Sequence, residues 1–582
     1  MSYCPPCQRE DNPLSNSDHL DGIVLSDCST AGHGMEIAPE HLPENGFSND
    51  DQHSSGSSEE PPSELDTLQN FKLPKTNPIE EAQLMSEVLH IYGNVVLMEA
   101  NCKQQTESQA ELSSLDWQAK ISLHQSLLGK YYDFFLASQH PSASQALKSL
   151  AASHEMPARM WTYGIDLLLD SLRRKRPGSM DYIRKFIDGV FPVITQLHES
   201  TRAFRETWIE CLGDLARYRM AVEESELRTH WAGISECWYN KVADLSPEEG
   251  RIQHHLGILA RPDVLLQLFY YTKALVSIRP FPQTRGSMAL LFRPDNGQQQ
   301  AYTMVTVFVA THGALFNEWP ADQFITLANQ FLSLLRGEAQ SLGHQGVYIM
   351  LCNFAAMLQY GDQSSVMVME FSQKKSAADA YQLALDSTAG LDLELKTKEP
   401  TDAKLDLSPI ASQGSALAFH TLSVLLDLRD PGIGLSVHVS LAFIWGLALH
   451  PPAMQKVDKF IPWANIVRFL NILIDSYIPI EDAFPLNEGT ICQLPEDFLL
   501  RGQLWTQLYF PDKFFDGIPE KIDRPSIEQP SAAISRKRRC LWLGGRIAKF
   551  GRWITYSNRR FHMTPWALEN KSIAEAYGGL RL

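Results

Sequence analysis

The chain has 582 residues, a formal net charge of −17, and 44% hydrophobic and 10% aromatic content, enough apolar material for large buried cores. Nine scattered cysteines argue against a disulfide framework, and the start of the chain lacks the basic, apolar, small-residue order of a secretory signal, so a reducing intracellular setting is expected. The charge does not exclude nucleic acid, because it is concentrated at one end: residues 1–70 carry 14 acids and a single base, Arg9, leaving 54 acids against 50 bases in the rest.

Residues 1–78 are rich in Ser, Pro, Asn, Asp and Gly and contain the run SSGSSEEPPSE at Ser54–Glu64. They show no helical or strand period and are expected to form a disordered acidic tail. From Pro78 to about residue 295 apolar residues recur every three or four positions, which predicts amphipathic helices, among them 180–197, 202–220, 224–244, 249–260 and 263–278. Pro141 and Pro157 mark helix starts, and Pro177-Gly178 marks an end. YNKVADLSPEEG and YYTKALVSIRPFP read as helices ending at Pro247 and Pro280, 33 residues apart. That spacing approaches the tetratricopeptide period of about 34 residues. Two such hairpins need neighbours to cover their faces, so a continuous helical stack is expected.

The pattern continues to Met367, with GVYIMLCNFAAMLQYG closing at Gly361, and is lost over 372–414, which reads as a mobile loop. Helices return from Ala416. The apolar stretch Leu435–Leu449 is shorter than the roughly 20 residues a membrane helix needs, so it reads as a buried helix and no membrane partner is expected. The end of the chain is basic and aromatic, SRKRRCLWLGGRIAKFGRWITYSNRRF.

Chemistry-bearing motifs are few. Cys4 and Cys7 form a C-x-x-C pair with no second pair at finger spacing, and the adjacent His254 and His255 diverge by about 100° on a helix. Walker, nucleophile-elbow and zincin patterns are absent. No metal, cofactor or catalytic residue is expected, and the chain reads as a protein other than an enzyme.

Two segments stand out. In CLGDLARYRM, taken as part of a helix from about Arg202, Phe204, Trp208, Cys211, Leu212 and Leu215 form the apolar stripe, with Glu210, Gly213 and Arg217 opposite. Arg217 is therefore expected on an open face, Tyr218 at its margin, with Gly213 clearing the approach for a phosphate held by the planar guanidinium. The alternative is a surface pair of Arg217 with Asp214 or Glu210, worth a few tenths of a kcal/mol. The second segment, Arg536–Arg560, holds nine bases, no acids and interleaved Trp542, Phe550, Trp553 and Tyr556. Arg536, Lys537, Arg538, Arg539, Arg546, Lys549 and Arg552 are candidates to contact single-stranded DNA or RNA. The alternative is a helix that packs its apolar side and leaves its charges solvated or neutralising the acidic tail.

GDLARYR resembles the GD-x-x-RY stretch of the 14-3-3 proteins, whose arginine and tyrosine hold a phosphoserine. Followed by YNKVADLSPEEG, HLGILA, YYTKAL and PFP, it resembles the family of the telomerase-activating Ever Shorter Telomeres protein and the SMG nonsense-mediated-decay factors. IPWANIVRFLNIL, LPEDFLLRG and RRCLWLGGRIA extend the likeness more weakly. The resemblance implies an all-α fold: a 14-3-3-like, tetratricopeptide-like stack over 79–298, then a helical-hairpin domain over 299–582. It implies Arg217 and Tyr218 as phosphate ligands. A family lysine falls at Asp166, and Arg159 is the candidate substitute. The family's nucleases carry a further α/β domain for which no room is expected after the basic segment. The implied function is a non-catalytic adaptor for a phosphorylated protein, an RNA helicase in nonsense-mediated mRNA decay, acting with related adaptors in cytoplasm and nucleus. The alternative is a telomerase regulator that binds single-stranded DNA or RNA.

Overall fold

The three-to-four-residue apolar period becomes helix throughout. The computed structural model describes residues 79–107, 114–293, 302–338, 342–373, 376, 379–386, 407–428, 431–475, 480–481, 484–485, 493–516, 530–576 and 579–580. The expected tail over 1–78, with Cys4 and Cys7, lies outside these. The chain divides into two compact units, Met1–Tyr239 and Asn240–Leu582. The expected boundary at 298/299 lies outside the described residues.

In the first unit, α1 (Glu81–Glu107) and α2 (Ser114–Ser138) form a long hairpin. α3 (Gln145–Ser153), α4 (Met156–Arg159) and α5 (Leu167–Arg173) follow, with a π-helical turn at Met160–Asp166 joining the last two. That turn presses Gly164 onto α2, where an added Cβ would meet the Leu128 side chain at 2.9 Å. The Gly164 carbonyl accepts a bond from His124 Nδ1 at 3.0 Å. α6 (Met180–Ser200) and α7 (Arg205–Met220) then pack together, and α8 (Ser225–Leu245) begins in this unit. Tyr131, Phe135, Phe186, Trp208 and Leu212 fill the core and are fully buried.

The second unit opens with α9 (Gly250–Leu259) against α10 (Val264–Leu275), the hairpin expected from the repeat. Gly257 permits this close packing, since a Cβ there would overlap the Tyr271 ring at 2.5 Å. α11 (Thr284–Leu291), α12 (Met304–Phe316), α13 (Ala321–Glu338), α14 (Gly343–Met357) and α15 (Val366–Phe371) extend the stack. Of the expected loop over 372–414, the described residues 379–386 and 409–414 are helical. Residues 379–386 form a helix, α16, anchored by buried Ala380 and Ala384, and α17 (Pro409–Asp427) starts where Ser408 Oγ accepts the Ala411 N–H. Residues 387–406 of that loop lie outside the described set.

α18 (Gly434–Ala448) is buried on every side from Leu435 onward, as its uninterrupted apolar sequence requires. α19 (Pro451–Val457), α21 (Pro495–Leu500) and α22 (Pro530–Ala548) pack against it, and α20 (Trp463–Ile474) packs on α17 and α22. Beyond α22 an unexpected antiparallel hairpin, β1 (Ile554–Ser557) and β2 (Arg560–Met563), turns at Asn558 and Arg559, both with positive φ. α23 (Pro565–Glu569) and α24 (Lys571–Ala576) follow. Among the described residues, no helix is long and apolar enough to cross a membrane.

Candidate functional site

The expected open face of α7 does not exist: Arg217 is 3% exposed. The Phe204–Leu215 stripe packs on the core, and the opposite side is covered by α8, where Ser235 Oγ donates to the Gly213 carbonyl at 2.9 Å. Gly213 makes room for the Tyr239 ring, which a Cβ would meet at 2.7 Å, and not for an incoming phosphate. Arg217 Nε donates to the Tyr239 hydroxyl at 3.1 Å and its terminal nitrogen to Asp214 Oδ1 at 3.1 Å. Tyr239 in turn donates to the same Asp214 oxygen at 2.6 Å. The three groups close a buried triangle. Arg219 is bound just as fully, to Glu223, to Asp188 and to the Arg184 carbonyl, with its guanidinium over the Trp231 ring.

Tyr218 donates to Asp166 Oδ1 at 3.0 Å. Burial pushes the Asp166 carboxyl up to about 7; the Tyr218 bond and Arg173 oppose the rise, and Asp170 and Asp214 add to it. Arg159, the candidate substitute, is held bidentately by Glu99 at 3.0 and 2.6 Å and donates to the Tyr92 hydroxyl at 3.2 Å. Tyr131 donates to the same Glu99. The folded Asp166 value lies above the unfolded one, so its stabilisation is fully present below about pH 4 and is lost as pH rises toward about 7. Asp166→Asn keeps an acceptor for Tyr218 and removes the charge. Urea titrations at pH 5 and pH 8 should show the wild type losing roughly 2–3 kcal/mol more than the variant across that range. Equal losses would mean that the carboxyl is ionised in the fold at little cost.

The basic segment is also internal for most of its length. Arg536, 5% exposed, binds Glu496 through Nε and a terminal nitrogen, the latter at 2.9 Å. Arg539, 1% exposed, reaches both Asp497 oxygens at 2.7 and 2.8 Å and lies over the Phe484 and Phe514 rings. His438 bridges Glu496 at 2.8 Å and the Tyr509 hydroxyl at 2.7 Å. Burial alone would raise the Glu496 carboxyl, yet the bonds from Arg536 and His438 hold it well below the usual range. Burial raises the Asp497 carboxyl despite Arg539. Arg538 pairs with Glu481, Arg552 with Asp458, and Arg546 stacks 4.2 Å over the Tyr381 ring. Lys537 and Lys549 are exposed. The run of bases on α22 is thus largely a set of ion pairs to α21 and to the residues around it.

A surface the sequence reading missed lies at the ends of α11 and α12. Phe292 and Phe316 meet at 5.5 Å between ring centroids, both half-buried, and the Arg285 guanidinium lies 5.6 Å over Phe316. Arg293, exposed, follows Phe292 directly, and Trp319, 43% exposed, follows Phe316 by three residues. Glu318 is the acid on that turn. The Arg285 guanidinium over the ring pair also donates to the Gln359 and Tyr360 carbonyls at 3.3 and 3.1 Å, and with the exposed Arg293 and Trp319 next in sequence these residues are of the types that stack on bases and bind phosphates. Dispersed over 35 residues of sequence, these groups form no motif; the legible signals were only the exposed-tryptophan turn EWP and the FRP after α11.

Residues 235–335, which contain this surface, match the family model described as the Est1 DNA/RNA binding domain. A solved chain from the crystal structure of Est1 and Cdc13 is 11% identical with a TM-score of 0.43, spanning 80% of this chain and 99% of that one. No curated protein matches the sequence.

Proposed function

We propose that this chain, of the Est1/SMG type and carrying an Est1-type DNA/RNA-binding domain over residues 235–335, is a non-catalytic regulator that binds single-stranded nucleic acid. The observation that carries the reading is the stack of Arg285 on Phe316 beside Phe292, with the exposed Arg293 and Trp319 adjoining it in sequence, inside the matched segment. Bases stack on the rings with little regard to sequence, and the guanidiniums neutralise phosphates, so affinity falls steeply with salt.

Trp319→Ala is expected to weaken binding of a labelled single-stranded oligonucleotide by about 1–3 kcal/mol, roughly 5- to 150-fold. The salt slope should stay the same, because no cation is lost. Fluorescence anisotropy at two salt concentrations checks both. Unchanged affinity would remove the indole from the interface.

The phosphoprotein reading, with a phosphorylated RNA helicase of mRNA decay as partner, rests on the likeness at GDLARYR. It requires Arg217 to leave Asp214 and Tyr239, and Tyr218 to leave Asp166. Its mark is tighter binding of a phosphopeptide than of the same peptide unmodified.

A further inference from the structure

The second unit holds a cavity of about 490 Å³ walled by α13, α17, the turn Asp458–Phe460, the start of α20, and α23 and α24. Its volume falls within the roughly 300–1,000 Å³ of small-molecule sites. α17 is buried from Gly414 to Leu426, yet His420, Ser423 and Asp427, at i, i+3 and i+7, set a polar stripe on the cavity wall. Voids left by imperfect packing are apolar, so a polar stripe facing one marks a different use. Phe419, Ile461, Trp463 and Ala567 supply buried apolar surface beside it.

Two amides and three cations complete the lining. Asn465 Nδ2 donates to Ser423 Oγ at 2.9 Å and to Asp427 Oδ1 at 3.2 Å, and Asn570 Nδ2 donates to the Trp566 carbonyl at 2.8 Å. With both NH2 groups so engaged, the two amide oxygens are left as acceptors on residues that line the cavity. Arg336, Lys459 and Lys571, all exposed, come from three separate elements. Of the two lining acids, Asp427 is paired with Arg468 and Glu575 lies 3.9 Å from Lys571. The balance favours an anion. α24 has no buried residue, so it is the wall that yields most readily to an entering ligand.

We propose that this cavity binds a nucleoside monophosphate whose base carries an exocyclic amine. The phosphate lies on Arg336, Lys459 and Lys571, and the amine donates to the Asn465 and Asn570 oxygens. Apolar walls edged with donors and acceptors suit a flat base, and the cations suit its phosphate through charge-assisted bonds. A free nucleotide and the phosphorylated end of a strand present the same chemistry.

Isothermal titration of the full chain with adenosine monophosphate, inosine monophosphate and inorganic phosphate tests this. Adenosine monophosphate should bind. Inosine monophosphate, with a carbonyl in place of the amine, should bind at least about tenfold more weakly, and phosphate alone more weakly still. Arg336→Ala with Lys459→Ala, both at exposed positions, should lower the affinity at least about tenfold with unchanged circular dichroism. Trp319→Ala should leave it unchanged, which keeps this site separate from the strand-binding reading. Displacement of adenosine monophosphate by a 5′-phosphorylated oligonucleotide assigns the cavity to a strand end, and no displacement assigns it to free nucleotide. A wild type that binds no adenosine monophosphate, that binds inosine monophosphate or phosphate as tightly, or whose affinity survives in the double variant overturns the proposal.

Discussion

Arg217→Glu is expected to destabilise the first unit strongly and not merely to cost it a ligand. The guanidinium is the cation of a triangle with Asp214 and Tyr239, and all three are buried. Removing one partner of a buried ion pair costs about 3–5 kcal/mol, because the remaining charge stays desolvated. Charge reversal adds repulsion with Asp214. Against a whole-domain stability of about 5–15 kcal/mol, a loss of that size shows as a large fall in the urea midpoint. A variant with wild-type midpoint and helical content that has lost phosphopeptide binding would instead make Arg217 a phosphate ligand.

Arg539→Ala should have a comparable effect on the second unit. It removes both Arg539 bonds from Asp497, a fully buried carboxylate left, among the described residues, with only the Leu494 N–H, and leaves a void between the Phe484 and Phe514 rings. The cost is about 3–5 kcal/mol from the orphaned charge. Asp497→Asn in the same background removes that charge and should recover part of the loss, which double-mutant denaturation curves measure. Equal stability of Arg539→Ala and wild type would return this arginine to the solvated surface expected of a nucleic-acid contact.

Most of the helices were legible because their period is local: α6 to α10 lie within a few residues of the expected spans. The hairpin after α22 was missed although Ile554–Ser557 alternates and Asn558 favours positive φ, because eight strand residues are outweighed by the helical pattern around them. The sites were less legible. A wheel for α7 identifies one packed side; it does not see that α8 returns to cover the other, which depends on Tyr239 finding the space left by Gly213. Likewise RKRR gives charge and not partners. Glu496 and Asp497, whose carboxylates absorb Arg536 and Arg539, lie some 40 residues earlier in LPEDFLLRG. Two of the three motifs that extend the family likeness, LPEDFLLRG and RRCLWLGGRIA, meet in one buried ion pair, Asp497 with Arg539.

The account separates cations that hold the fold together from cations that face a ligand, and paired charge reversals test that separation most directly. Single-stranded oligonucleotide binding should be measured for Arg293→Glu and for Lys537→Glu with Lys549→Glu, all at exposed positions. The account predicts that Arg293→Glu lowers affinity and flattens its dependence on salt, while the α22 pair leaves both unchanged. Loss of binding in the α22 pair with Arg293→Glu at wild-type affinity would contradict it.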